Sequence, residues 1–188
     1  MQDISQLRGG GCMAETMVSM IQAQRIRQRV GELGREISND YGPDGMRAVV
    51  VLAGGFMFAS DLLRGVGEDV RLRAQVDFVR ASSYGAGTTS SGDVRIAMDP
   101  GAEFEGQHVL LIDDVLDTGE TLWKLCGVMK NAGARTVRTA VLLHKVGKQR
   151  HPVMPSYVGF EIDDVFVVGY GMDKAGRYRG LPDVRRLV

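Results

Sequence analysis

Val109-Leu110-Leu111-Ile112-Asp113-Asp114-Val115-Leu116-Asp117-Thr118-Gly119-Glu120-Thr121 is the stretch on which the reading of this chain turns. With His108 in front, the unbroken apolar run to Ile112 predicts a short strand buried on both faces of a parallel sheet. Two acids, Asp113 and Asp114, stand at its carboxyl end. Leu122, Leu125, Cys126 and Met129 then recur at helical spacing, and Asn131-Ala132-Gly133 ends that helix. Asp117, Thr118, Gly119 and Thr121 therefore fall where the helix begins. Hydroxyls and free backbone N–H groups at such a point bind a phosphate well. Paired carboxylates at the strand end accept bonds from adjacent sugar hydroxyls or serve a hard cation. An ordinary helix cap with incidental acids explains a bare Asp-x-Thr-Gly, but not the whole ordered run.

Working outward, Ile26, Val30, Leu33 and Ile37 predict a helix within Ser19 to Asp40, with Ser19 and Gln22 offering a capping box. Tyr41-Gly42-Pro43-Asp44-Gly45 breaks the chain. Arg47 to Leu52 reads as a buried strand, and Gly54-Gly55 turns it into a helix from Phe56 to Arg64. Val70 to Ser83 reads as a long strand, Tyr84 to Asp93 as a loop, and Asp93 to Ala97 as a short strand. Further strands are expected over Thr136 to Leu143, Tyr157 to Ile162 and Phe166 to Tyr170. Alternating strands and helices argue for an α/β fold, a doubly wound parallel sheet flanked by helices. In such sheets ligands sit beyond the carboxyl ends of the strands. Residues 1–188 read as one domain behind a loose leader, 1–18.

Composition narrows the function classes. Apolar residues are 44% and charged residues 24% of 188, ordinary values for a soluble chain. Net charge is zero, which removes the electrostatic footprint of a nucleic-acid binder. Basic residues still cluster at His144, Lys145, Lys148, Arg150 and His151, and at Arg177, Arg179, Arg185 and Arg186. These are either solvated faces or partners of a polyanionic ligand. Cys12 and Cys126 suit a reducing compartment without a disulfide. Neither a signal peptide nor a membrane span is expected, because the longest apolar stretch, Ala48 to Ala59, is interrupted by Gly54 and Gly55. A cytoplasmic location follows. No Gly-x-Gly-x-x-Gly follows a first strand, which excludes a dinucleotide-binding oxidoreductase.

The run from Val109 to Thr121 resembles the signature with which type I phosphoribosyltransferases bind phosphoribosyl pyrophosphate (PRPP). The resemblance implies that Asp113 and Asp114 hold the ribose hydroxyls and that Asp117, Thr118, Gly119, Glu120 and Thr121 wrap the 5-phosphate, with Glu120 pointing outward. Leu142-Leu143-His144-Lys145 and Phe166-Val167-Val168-Gly169-Tyr170-Gly171-Met172-Asp173 are similar to the hypoxanthine-guanine branch of that family. By that similarity Lys145 contacts the purine O6, Phe166 stacks on the base, and the Val167 backbone reaches its edge. Asp173 helps hold Mg²⁺ and the base pocket, Arg179 faces pyrophosphate, and Asp113 and Asp114 are further candidates for the metal. Ser83 and Tyr84 begin the closing loop, Asp117 takes the place of the general base, and a small base-binding hood is expected over the sheet. A donor-only ammonium matches a 6-oxo group and mismatches a 6-amino group, so hypoxanthine and guanine are the expected bases, with xanthine left open. The resemblance also suggests a homodimer or homotetramer.

One position departs from the family. A basic residue usually precedes the two small residues after the first strand, whereas this chain has Leu52-Ala53-Gly54-Gly55. Ala53 has no cation to offer, which leaves the backbone around Ala53 and Gly54, with Arg179, to handle pyrophosphate. That departure keeps a rival open: a non-catalytic PRPP-binding regulator of the same fold.

Overall fold

The computed structural model describes residues 16–83, 94–98 and 103–188. Along the chain run β1 (Met17–Ile21), α1 (Ala23–Tyr41), β2 (Arg47–Leu52), α2 (Phe56–Gly65), α3 (Glu68–Arg73), β3 (Gln75–Ser83) and β4 (Val94–Met98). They are followed by β5 (His108–Leu116), α4 (Glu120–Asn131), β6 (Thr136–Lys145), β7 (Tyr157–Ile162), β8 (Val167–Val168) and β9 (Val184–Leu187).

The main sheet has the order β4-β3-β2-β5-β6-β7. Five of its strands are parallel, and β4 closes one edge antiparallel to β3. Ala48 and Val50 of β2, with Leu110 and Ile112 of β5, face a core shared with Ile26, Val30, Leu33 and Ile37 of α1 and Phe58 and Leu62 of α2. Their neighbours Val49, Val51, Val109 and Leu111 face the opposite core, completed by Leu122, Leu125 and Met129 of α4. Both faces are covered, so the strand interiors read as continuous apolar runs. α1 and α2 meet at Gly34 and Gly65, where a Cβ on Gly34 would run into the Gly65 carbonyl.

A second, antiparallel sheet, β1-β9-β8, forms the hood. Val167, Tyr170, Met172 and Val184 join it to the core beneath α1 and α2. The Tyr170 hydroxyl also donates to Asp61 Oδ2 of α2 at 2.6 Å.

Four local expectations are corrected. Residues 17 and 18 are not loose leader: Met17 pairs with Leu187 and Val18 with Arg186. Ser19 caps no helix; it lies in β1, its hydroxyl donates to Asp183 Oδ2 at 3.2 Å, and α1 starts behind Gln22 without a side-chain cap. Glu68–Arg73 is a helix rather than the start of a strand, with two acids in its first turn and two arginines in its last, matching the helix dipole. The strand expected over Phe166 to Tyr170 is cut to two residues, because Gly169, Tyr170 and Gly171 take φ values of 95°, 48° and 101°. Among the described residues no helix is long and apolar enough to cross a membrane.

Candidate active site

β5 delivers Asp113 and Asp114 to the carboxyl edge of the sheet. Asp113 is buried, 7% exposed, and its Oδ1 accepts the Asp114 amide at 2.9 Å. Burial first, and the adjacent Asp114 carboxylate second, push Asp113 well above the usual carboxylate range. Asp114 Oδ1 accepts the Val115 amide at 3.0 Å. The β2–α2 turn lies against it, since a Cβ on Gly54 would overlap the Asp114 carboxylate. The hood reaches the same point, where a Cβ on Gly171 would meet the Gly54 carbonyl. The Leu52–Ala53 peptide bond beside this junction is cis, and Ala53 is exposed. Sheet end, turn and hood therefore converge on one cleft.

α4 starts from Gly119, whose φ of 82° lets the chain leave β5 and enter a helix within a few residues. Thr118 Oγ1 lies 3.5 Å from the Glu120 amide, and the Thr118 carbonyl accepts the Arg150 amide at 2.8 Å. A cavity of about 60 Å³ lies in this turn, lined by Asp113, Asp117, Thr118, Gly119, Glu120 and Thr121 among others. Its size is that of a compact group and far below the several hundred Å³ of a larger ligand's pocket. A groove of about 660 Å³ on the outer flank of α4, lined by Trp123, Val137 and Met154, contains none of the expected site residues. Glu120 does not point freely outward as expected: its side chain is 16% exposed and its Oε1 accepts Lys124 Nζ at 3.0 Å.

Lys145, at the end of β6, is buried at 7% exposure. Its ammonium donates to Asp117 Oδ2 at 3.3 Å and to Asp164 Oδ1 at 3.0 Å. Lys148 Nζ donates to Asp164 Oδ1 at 2.7 Å and lies 3.1 Å from Asp117 Oδ1. That last pair has ion-pair distance but poor hydrogen-bond alignment, and Asp117 Oδ1 is buried without a hydrogen bond. The hydrogen bonds to Lys148 and Lys145 hold Asp164 below the usual carboxylate range, and Lys148 is raised in turn, chiefly by Asp164. Sequence reasoning named Lys145 and Asp117 as site residues, placed Lys148 only in a basic cluster, and missed Asp164. The available signals were the Lys145-x-x-Lys148 spacing and the acid two residues before Phe166.

Phe166 is 54% exposed, so it is not core, and its carbonyl accepts the Leu187 amide at 3.2 Å. Val167 is buried and pairs with Arg186. Asp173 Oδ1 pairs with Arg179 Nη2 at 2.7 Å, and Asp173 Oδ2 accepts the Gly176 amide at 2.6 Å. Arg179 Nη1 donates to the Gly171 carbonyl at 2.6 Å, so this arginine is tied into the hood. Ser83 ends β3, while Tyr84 lies outside the described residues. Among the described residues no three His, Cys, Asp or Glu side chains gather closely enough to hold a metal by themselves. Asp113 and Asp114 are thus not joined by Asp173 in one protein-only cage. This donor set still fits Mg²⁺, which is held through one or two carboxylates together with substrate phosphates.

A model of the phosphoribosyl transferase domain matches residues 17–175. The chain belongs to the phosphoribosyltransferase family. Members of this family typically use PRPP as its Mg²⁺ complex. The chain is 39% identical over 178 residues to the hypoxanthine phosphoribosyltransferase of Salmonella typhimurium, covering 94% of this chain and 98% of that one. It is 42% identical over 161 residues to the hypoxanthine-guanine phosphoribosyltransferase of Dictyostelium discoideum, covering 85% and 88%. Its fold is similar to the crystal structure of a hypoxanthine-guanine phosphoribosyltransferase from Bacillus anthracis, which has a HEPES molecule in its active site. The TM-score is 0.83 at 32% identity, covering 91% of this chain and 98% of that one. The phosphoribosyltransferase fold therefore accounts for the five-stranded parallel sheet and the small antiparallel hood.

Proposed function

We propose that this phosphoribosyltransferase transfers the 5-phosphoribosyl group of PRPP to N9 of a 6-oxopurine, hypoxanthine or guanine, and releases pyrophosphate, as a step of purine salvage. The relatives' activities support it. The observation that carries it is a buried ammonium, Lys145, 3.3 Å from a carboxylate, Asp117, that leads into a phosphate-sized helix start. A phosphate seated there on Thr118, Gly119, Glu120 and Thr121 meets backbone N–H groups and hydroxyls. Asp113 and Asp114 then bond the two ribose hydroxyls.

The base enters between the hood and this edge. Phe166 offers its exposed ring for stacking, the Val167 backbone meets the base edge, and Lys145 donates to O6. A 6-amino group has no acceptor for that ammonium, so adenine leaves one of its donors without a partner. In the reaction the N9–C1′ bond forms, the bond from C1′ to the pyrophosphate oxygen breaks, and Asp117 accepts the N7 proton. Asp173, with Asp113 or Asp114 and substrate oxygens, would hold Mg²⁺, and the ion would supply charge neutralisation for the departing pyrophosphate. Arg179 and the backbone around Ala53 and Gly54 face the pyrophosphate, and the segment from Ser83 and Tyr84 excludes water from the ribosyl centre. One domain carries all of this, as a cytoplasmic homodimer or homotetramer.

The test is nucleotide formation from PRPP, Mg²⁺ and each of hypoxanthine, guanine, xanthine and adenine. Product with the 6-oxo bases and none with adenine is expected, and xanthine fixes the breadth of the pocket. Ala53 favours one other reading, a PRPP-binding regulator without turnover; PRPP binding with no product from any base would establish it.

A further inference from the structure

The geometry points to Asp164 as a positioning residue that aims the Lys145 ammonium at the base, with Lys148 as its anchor; the inference rests on the proposed 6-oxopurine activity. An ammonium has three donors in fixed relative directions. Two of those on Lys145 are engaged by carboxylates on different elements: Asp117, ahead of α4, at 3.3 Å, and Asp164, between β7 and β8, at 3.0 Å. With two donors fixed, the direction of the third is determined, and it is the one left for an acceptor on the base.

Asp164 also competes with Asp117 for the same ammonium. Without Asp164, Lys145 is left with Asp117 alone, and its remaining donors lose their fixed direction toward the base. Asp164 is itself 52% exposed at its side chain and would be mobile as a lone surface acid. Lys148, whose Nζ donates to the same Oδ1 at 2.7 Å, holds it in place. The segment that carries Asp164 runs directly into Phe166, so the stacking ring and the aiming carboxylate sit on one short stretch of chain.

Steady-state kinetics on the full chain separates this role from a merely structural one. Asp164→Ala is expected to raise KM for hypoxanthine about tenfold, the scale of losing one oriented bond to a charged group. KM for PRPP should stay at the wild-type value and kcat should change much less. Asp164→Glu should restore most of the base KM, and Lys148→Met, which also removes the partner of Asp117 Oδ1, should raise it in the same direction by about threefold. The near-isosteric Asp164→Asn, which loses the charge but keeps one acceptor, should raise the base KM in the same direction by less than the alanine variant, and serves if that variant folds poorly. Equilibrium binding of inosine monophosphate reads the effect without turnover. An unchanged base KM in an active Asp164 variant, or a parallel rise for base and PRPP, overturns the positioning role alone. A wild-type chain that neither forms nucleotide nor binds inosine monophosphate overturns the proposed function and this inference together.

Discussion

β6 carries an ionic cluster at each end, and the two are built from similar parts. At its start, Arg138 pairs with Asp40 at 2.7 Å and donates to the Tyr157 hydroxyl at 2.9 Å, while that hydroxyl donates to Asp40 at 2.6 Å. Arg138 also lies over the Tyr41 ring, 5.5 Å from its centroid. At the far end Lys145 and Lys148 face Asp117 and Asp164, and there Asp117 Oδ1 is buried with no hydrogen bond. The first cluster closes on itself and ties α1 to β6 and β7. The second shares two ammonium groups between two carboxylates and leaves Asp117 Oδ1, 3.1 Å from Lys148 Nζ, in an ion pair without an aligned hydrogen bond. The lesson is that the alignment of the bonding, rather than the presence of charge, sets the two clusters apart.

Four substitutions break or sharpen that contrast. Asp117→Asn removes the proposed base and should lower kcat by about 10²–10⁴-fold, with PRPP affinity kept; turnover near wild type would remove Asp117 from the chemistry. Lys145→Met should cost about 10–100-fold in kcat/KM for hypoxanthine, the value of a bond to a charged group. The same variant should narrow the gap to adenine, and an unchanged ratio would show that Lys145 does not read O6. Gly54→Ala pushes a Cβ into the Asp114 carboxylate; a rise in KM for PRPP of about tenfold, on the scale of an overpacked contact, is expected with the base KM unaffected. At the other end of β6, Tyr157→Phe should cost about 1 kcal/mol of stability by denaturant unfolding and leave kcat and both KM values alone.

The Tyr157 phenol adds a pH signature. Burial first and the Asp40 contact second raise it from 10.0 to about 12. The folded state thus favours the neutral phenol, so this contribution is complete below pH 10 and fades as pH rises through about 12. Tyr157→Phe should therefore lose less stability than wild type across that alkaline window. Equal losses would show that the cluster is not the pair of bonds described.

Much of this was legible in the sequence because the long elements have unmistakable periods. The apolar run into Asp113 and the heptad-like spacing of Leu122, Leu125 and Met129 placed β5, α4 and the phosphate turn between them. Glu68–Arg73 was not legible, because fewer than two turns with one buried residue, Val70, cannot display a 3.6-residue period. β1 was hidden for a different reason: only Ile21 of its five residues is buried, and its partner β9 lies at the other end of the chain. In the site, Lys145 and Asp117 were readable from their local motifs. Asp164 was not, since its role depends on a contact across 19 residues that only the packing of β6 beside β7 creates. The pairing of Asp173 with Arg179 was equally hidden, because the positive-φ turn at Gly169–Gly171 decides where both side chains go.

A crystal structure of the wild-type chain with inosine monophosphate, pyrophosphate and Mg²⁺ tests the account most directly. The account predicts Lys145 Nζ within about 3 Å of the purine O6 and an Asp117 oxygen at similar distance from N7, with the 5-phosphate on the Thr118–Thr121 turn. A base bound away from Lys145, or a phosphate seated elsewhere than that turn, would contradict it.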